Sequence, residues 1–254
     1  MSDILVFCLL AFAAGFIDSI VGGGGLIQTP ALLIGLPQVP VPTVMGTAKV
    51  ASIAGSATSS VQYARRVPFR SHILGATAVG ALIGSFLGAR LISFLHPAVV
   101  KPAIFVLLIG VFLYMLFKKD FGQSQHIEKS ERHSILHGSL FGLLIGLYDG
   151  FLGPGAGSFL ILFFVGIIGF DFLQASAHAK VINFVTNLGA LIYFAASKNV
   201  LWHIALPMAA AQMIGSFVGV RAALLRGNQF IRYFFLAIMG LMILRYGYDL
   251  FLKN

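Results

Sequence analysis

The sequence predicts an all-α, polytopic membrane protein built from two homologous repeats, and three observations predict it. The chain is very apolar: 58% of its 254 residues are hydrophobic and 10% charged, with a mean hydropathy of +0.94, whereas a soluble domain carries roughly 25% charged residues. Apolar runs tile nearly its whole length, giving about eight hydrophobic segments. Eight marker residues of the first half also recur in the second at one constant spacing. Asp18 matches Asp149, Gly22 Gly153, Gly24 Gly155, Lys49 Lys180, His72 His203, Gly84 Gly215, Gly88 Gly219 and Arg90 Arg221, each pair 131 residues apart (149 − 18 = 131). Periods of about 20 to 50 residues indicate solenoids. One duplication of half an apolar chain points instead to a two-repeat transporter with its site between the halves.

The runs in order are Ile4–Ile17, Leu26–Leu36, Val50–Ala64, Ile73–Leu95, Ala103–Phe117, Ile135–Leu147, Phe159–Phe170, Val181–Ala196, Ile204–Val220 and Phe230–Leu244. Several are shorter than the roughly 20 residues that span a bilayer. Those spans must borrow flanking small and polar residues, or they are half-helices. Ala11-Phe12-Ala13 has the look of a signal cleavage site, but Asp3 precedes it without a Lys or Arg, and Gly15 and Asp18 beyond it belong to the repeat, so this segment is read as retained. The lone cysteine, Cys8, excludes a disulfide or thiolate-metal framework. No cofactor motif is present. The net charge of +9 is not gathered into a basic stripe with interleaved aromatics, so nucleic acid is not expected as a partner; the charges fall between apolar runs, as loop charges of a membrane protein do.

Residues 1–117 form the first repeat, 118–137 an aqueous loop holding Lys118, Lys119, Asp120, Glu128, Lys129, Glu131 and Arg132, and 138–254 the second repeat. Loop charge bears on orientation. In the first repeat the turn with Arg65, Arg66 and Arg70 is more basic than the next, with Arg90 and Lys101; in the second, Lys198 stands alone and Arg221, Arg226 and Arg232 follow. Because Lys and Arg mark the cytoplasmic side, this reversal favours inverted repeats. Each half then crosses an odd number of times, its Gly-interrupted segment being broken or re-entrant. Parallel repeats of four crossings are the alternative.

Each repeat opens with an apolar run, an Asp and a glycine cluster: Asp18-Ser19-Ile20-Val21-Gly22-Gly23-Gly24-Gly25 and Asp149-Gly150-Phe151-Leu152-Gly153-Pro154-Gly155-Ala156-Gly157-Ser158. Neither cluster can propagate a helix. Irregular backbone at membrane depth persists only where protein or a water-filled cavity satisfies it. The helix that resumes after each break points its free N–H groups and positive dipole end back at the break, which makes an anion site of Gly24, Gly25, Gly155, Gly157 and Ser158. Close helix packing is the competing use of glycine and suits Gly84/Gly88 and Gly215/Gly219.

The second constellation is a helix that starts at a lysine. Lys180, Asn183 and Asn187 share one helix face, with Ser176 a turn earlier and Thr186 nearby; Lys49, Ser52 and Ser56 repeat the register, flanked by Thr47 and Ser59. A lysine at the bilayer centre costs at least about 2.5 kcal/mol and has a partner or lines a pathway, unless it snorkels to the interface. Asp18 and Asp149 are the candidate partners; titration as proton carriers and helix capping are their other uses. His72 and His203 read as interfacial, Arg90 and Arg221 as cations at helix ends, and Gln28, Thr29 and His178 as weaker lining candidates. His126, His133 and His137 in the loop read as solvated.

At these residues the chain resembles the sulfite exporter TauE/SafE family of bacterial membrane transporters. The resemblance rests on Gly15-Phe16-Ile17-Asp18 through Gly25-Leu26-Ile27 with Pro30, on Gly46-Thr47-Ala48-Lys49, on Gly146-Leu147-Tyr148-Asp149 through Ser158, and on Ala175-Ser176-Ala177-His178-Ala179-Lys180-Val181-Ile182-Asn183-Phe184 followed by Asn187-Leu188-Gly189-Ala190. It implies a multi-pass protein of the bacterial cytoplasmic membrane that exports sulfite, sulfoacetate or related organosulfonates. Many relatives carry Asn before the first lysine where this chain has Ala48, a loss of one amide donor that bears on anion selectivity. The residues themselves indicate a small anion near the midplane, held by Lys49, Lys180, Asn183, Asn187, Ser52 and the backbone after the glycine breaks. The resulting expectation is a secondary transporter working by alternating access in the lipid bilayer, with a homodimer compatible with it. An anion channel, or an intramembrane hydrolase using Ser158, are the other readings. The second is disfavoured because Ser158 has Ile27 at its repeat position and no His–carboxylate pair beside it.

Overall fold

The computed structural model describes residues 2–92 and 131–251, and among them the regular structure is all helical, without strands. The helices are α1 Ser2–Val21, α2 Gly25–Gly35, α3 Val41–Ala64, α4 Ser71–Leu91, α5 Glu131–Phe151, α6 Ala156–Phe163, α7 Phe172–Ala196 and α8 Trp202–Phe251. α6 runs on into a π-helical turn, Phe164–Ile168, and α8 is broken at Gly227. Among the described residues, four stretches are long and apolar enough to cross a membrane: Ile4–Val21, Ser71–Leu91, Phe172–Ala196 and Trp202–Ile238. α3 has the length, 24 residues, or about 36 Å at 1.5 Å per residue, but its lysine, serines and threonines lower its hydropathy. The fold is an all-α polytopic membrane protein. The expected run Ala103–Phe117 and residues 118–130 of the expected loop lie outside the described residues, while 131–137 of that loop already belong to α5.

The repeat is visible in the helix boundaries. α2, α3 and α4 begin at Gly25, Val41 and Ser71; their counterparts begin at Ala156, Phe172 and Trp202, each 131 residues on. The glycine clusters do interrupt the chain. α2 and α6 are half-helices of 11 and 8 residues, the first about 16 Å long against a hydrocarbon core of about 30 Å. Gly22 and Gly153, equivalent positions, both turn the chain with φ near +80° (+80° and +81°), a conformation that a side chain would strain.

Small residues set the packing between the halves. On α4, Gly80, Gly84 and Gly88 press on the backbone at Ser139, Leu143 and Leu147 of α5, and Gly142, Gly146 and Gly150 press back at Thr77, Ala81 and Ser85. The same contacts recur one repeat away: Gly215 and Gly219 of α8 on Phe12 and Phe16 of α1, and Gly15 on Gln212. A methyl group at most of these positions would collide with backbone, so the stripes permit helix approach that larger residues forbid. α1 of the first repeat thus packs on α8 of the second, and α5 of the second on α4 of the first.

These contacts also give directions. Because positions rise together, α1 runs parallel to α8, and α4 to α5. α3 is parallel to α8, since Thr47 accepts Leu201 N–H at one end and Gly55 meets Gln212 and Ser216 further along. α7 is parallel to α4, with Arg70 N–H on His178 and Gly189 against Leu82 and Ser85. α3 and α7 run oppositely: Met45 clusters with Ala190 and Phe194, while Tyr63 and Ser176 reach adjacent carbonyls at the other end.

Candidate functional site

Two ion pairs sit between the repeats, and each joins a lysine of one half to an aspartate of the other. Lys49 of α3 holds Asp149 of α5 at 2.9 Å, and Lys180 of α7 holds Asp18 of α1 at 3.0 Å. They are the same interaction related by the repeat. Lys180 and Lys49 lie 162 and 100 residues from their partners, so only the tertiary arrangement brings them together. All four side chains are largely withdrawn from solvent, with Asp18 the most open at 15% exposure. Charges at this depth persist because they are paired and hydrogen-bonded.

The ends of the broken helices are closed with side chains. The last turn of α1 leaves carbonyls without helical donors. Three are supplied from elsewhere: Tyr63 donates to Ser19 O at 3.0 Å, Ser176 to Ile20 O at 3.1 Å and Ser158 to Val21 O at 2.8 Å. In α5 the corresponding task falls to Lys49, whose ammonium also donates to the Asp149 backbone carbonyl at 2.7 Å. Asp18 caps its own break by accepting Gly24 N–H at 3.3 Å. The two breaks touch: Gly22 and Gly157 are in backbone contact, and Gly25 faces Pro154.

Between them lies a small polar cavity of about 30 Å³. A single water needs roughly 10–15 Å³ by this measure, so about two fit. Of the sequence-predicted site residues, Lys49, Ser52, Asn183, Asn187, Gly25, Gly157, Asp18 and Asp149 line it. Lys180, Gly24, Gly155 and Ser158 do not. Lys180 is fully enclosed behind Asp18, the Gly24 amide is taken by the Asp18 carboxylate, and the Ser158 hydroxyl is committed to Val21 O. Thr29 lines the cavity as the weaker candidate it was; Gln28 stands beside it, donating to Ala48 O at 3.2 Å. Ser56 and Ser59 turn back onto their own helix and Thr47 bonds Thr43 O.

Met45 and Ala48 complete the wall, with Gly22 and Gly153 at the turns. Met45 was legible in principle, since 45, 48, 49 and 52 follow i, i+3, i+4, i+7 on one face of α3. An apolar residue carries no chemical flag, and the polar stripe alone passes it over. His178 belongs elsewhere: its Nδ1 faces Gln174 O at 2.8 Å and its Nε2 accepts Arg70 N–H at 3.1 Å, within an aromatic box of Phe69, Phe164 and Phe170. An acceptor Nε2 fixes Nδ1 as the protonated nitrogen and the ring as neutral. His72, His203, Arg90 and Arg221 are exposed. Among the described residues no group of three or more His, Cys, Asp and Glu is placed to hold a metal.

The comparisons with known proteins agree with this architecture. Residues 7–246 match the family described as Sulfite exporter TauE/SafE. The chain is 34% identical over 249 residues to a Haemophilus influenzae protein named "Probable membrane transporter protein", covering 96% of this chain and 94% of that one. It is 40% identical over 227 residues to "Probable membrane transporter protein ORF9" of Sinorhizobium sp., covering 87% and 84%. To "Probable membrane transporter protein YfcA" of Escherichia coli K12 it is 32% identical over 249 residues, covering 96% and 89%. No solved structure matches significantly. With its helices, its breaks and its sequence all in accord, the chain is a membrane transporter that belongs to the sulfite exporter TauE/SafE family.

Proposed function

We propose that this transporter exports a small anion of the sulfite or organosulfonate class across the bacterial cytoplasmic membrane by alternating access between two inverted repeats. The observation that carries the reading is the exchanged pairing of Lys49 with Asp149 and Lys180 with Asp18 around a polar cavity at the junction of the repeats. Lys49 and the amides of Asn183 and Asn187 supply cationic and neutral donors to an oxyanion. Gly25 and Gly157, at the starts of the half-helices, add the positive ends of two helix dipoles. A cavity that admits about two waters is too small for a sulfonate with its attached carbon, so the site must widen to bind one.

Inversion is supported by the helix directions. α1, α3 and the first half of α8 run one way, α4, α5 and α7 the other, so each long helix opposes its counterpart 131 residues on. Rocking of one repeat against the other then exposes the cavity to each side in turn. The exposed Arg65, Arg66 and Arg70 share one end of the molecule with the break at Gly227, since Arg70 meets His178 near the start of α7 and Asn228 accepts from Leu173 N–H. The positive-inside rule makes that end cytoplasmic.

Nothing about Ser158 favours the enzyme reading, because its hydroxyl is used to close α1. The test is thermal stabilisation of the purified protein by sulfite, sulfate, sulfoacetate, taurine, carboxylates and phosphate. Stabilisation by sulfite or sulfonates that is lost in Lys49→Met supports the proposal; stabilisation by none of them overturns it. Sustained single-channel currents in a planar bilayer would replace alternating access with a channel.

A further inference from the structure

Asp18 and Asp149 are equivalent in the repeat but not in their surroundings. Both oxygens of Asp18 are engaged, Oδ1 by Gly24 N–H and Oδ2 by Lys180. Asp149 accepts Lys49 on Oδ1 alone; its Oδ2 is buried without a hydrogen-bond partner. A buried carboxylate oxygen with no donor is an unmet electrostatic demand. It belongs to a residue of the cavity wall.

We propose that Asp149 Oδ2 is the site at which this transporter takes up a proton, and that its protonation releases Lys49 to hold the anion, so that anion and proton are bound together. The inference rests on the anion-transport reading above. At the site two lysines balance two aspartates. A monovalent anion added alone leaves the site negative at membrane depth, where uncompensated charge is costly. A proton from the aqueous phase forms an O–H bond at Oδ2, neutralises the carboxylate and restores the balance. Lys49 keeps its own proton and its bond to the Asp149 backbone carbonyl, which retains the ammonium at the cavity after the carboxylate has lost its charge.

A sodium ion fits this position poorly. It would lie beside the Lys49 ammonium, which already occupies the same carboxylate at 2.9 Å. Among the described residues, the charged groups around Asp149 are Lys49 from α3 and, on the cavity wall, Asp18 from α1, with Lys180 of α7 behind Asp18. Asp18, with both oxygens held, remains the structural partner of Lys180.

The experiment uses the full-length protein and methanesulfonate, whose charge is constant between about pH 5.5 and 8. Methanesulfonate affinity, read by thermal-shift titration, should fall by about tenfold per pH unit once the Asp149 carboxyl is ionised. Asp149→Asn should bind without that slope, and Asp18→Asn should keep it. Independently of any variant, methanesulfonate added in weakly buffered solution should draw about one proton per anion bound. Binding by the wild type with no pH slope and no proton uptake, a slope that survives in Asp149→Asn, or a requirement for sodium would each overturn the inference. Failure of every anion in the panel to bind at any pH would instead overturn the transport reading beneath it.

Discussion

Lys49 of the first repeat donates to both the side chain and the backbone carbonyl of Asp149 in the second, at 2.9 and 2.7 Å. One ammonium thereby ties the broken end of α5 to α3 and holds a carboxylate at the edge of the cavity. The repeat supplies a second pair, Lys180 with Asp18, in the reverse sense. On the proposed reading, structure and function are joined at these four residues, and perturbing one should be felt in both.

Lys49→Met should destabilise the protein by about 3–5 kcal/mol, because it leaves Asp149 buried without its counter-ion. Lys49→Met/Asp149→Asn removes both charges and should recover much of that loss. Denaturant unfolding in detergent compares the two. Equal destabilisation of single and double variants would mean that the pair is not the source of the effect.

Gly22→Ala should be poorly tolerated. Its φ of +80° is strained for any side chain, and a methyl there meets the Gly157 backbone, so a loss of at least about 1–3 kcal/mol is expected from the backbone conformation alone. Gly75 in α4 has nothing near its missing Cβ, and Gly75→Ala should be neutral or stabilising by up to about 1 kcal/mol. Melting temperatures of the two variants in detergent decide the matter, and similar values would contradict the account of the break.

Much of this was legible in the sequence. The spacing of 131 residues located the breaks and matched both Lys and Asp pairs as equivalents, because helix-breaking glycines and intramembrane charges are strong physical signals; the helices expected to start at Lys49 and Lys180 instead start at Val41 and Phe172, with the lysines well inside them. It left open how the charges pair, since exchange between the repeats is a long-range property. It also treated Lys49 and Lys180 alike. A repeat is symmetric on paper, but the cavity need not be, and here Lys49 borders it while Lys180 is enclosed. Ser158 illustrates the other limit: its place at a helix start reads as an anion donor, yet the hydroxyl is claimed by Val21 O, 137 residues earlier.

Ser158→Ala should accordingly act on stability rather than on ligand. It leaves Val21 O short of a donor, a cost of about 1–3 kcal/mol, with anion affinity little changed. A parallel measurement of melting temperature and anion titration checks both halves, and loss of binding in a stably folded variant would return Ser158 to the site.

Arg66→Cys and Lys198→Cys, in a Cys8→Ser background, should label with a membrane-impermeant maleimide from opposite sides of the membrane, Arg66→Cys from the cytoplasm. Labelling of both from one side would contradict the assigned helix directions.

The most direct test of the central claim is uptake of radiolabelled sulfonate into everted membrane vesicles by the wild type and by Lys49→Met/Asp149→Asn, in which the pair is replaced by two uncharged side chains. The account predicts a folded double variant that has lost transport to background. Transport at the wild-type rate by that variant would show that the Lys49–Asp149 pair takes no part in moving the anion.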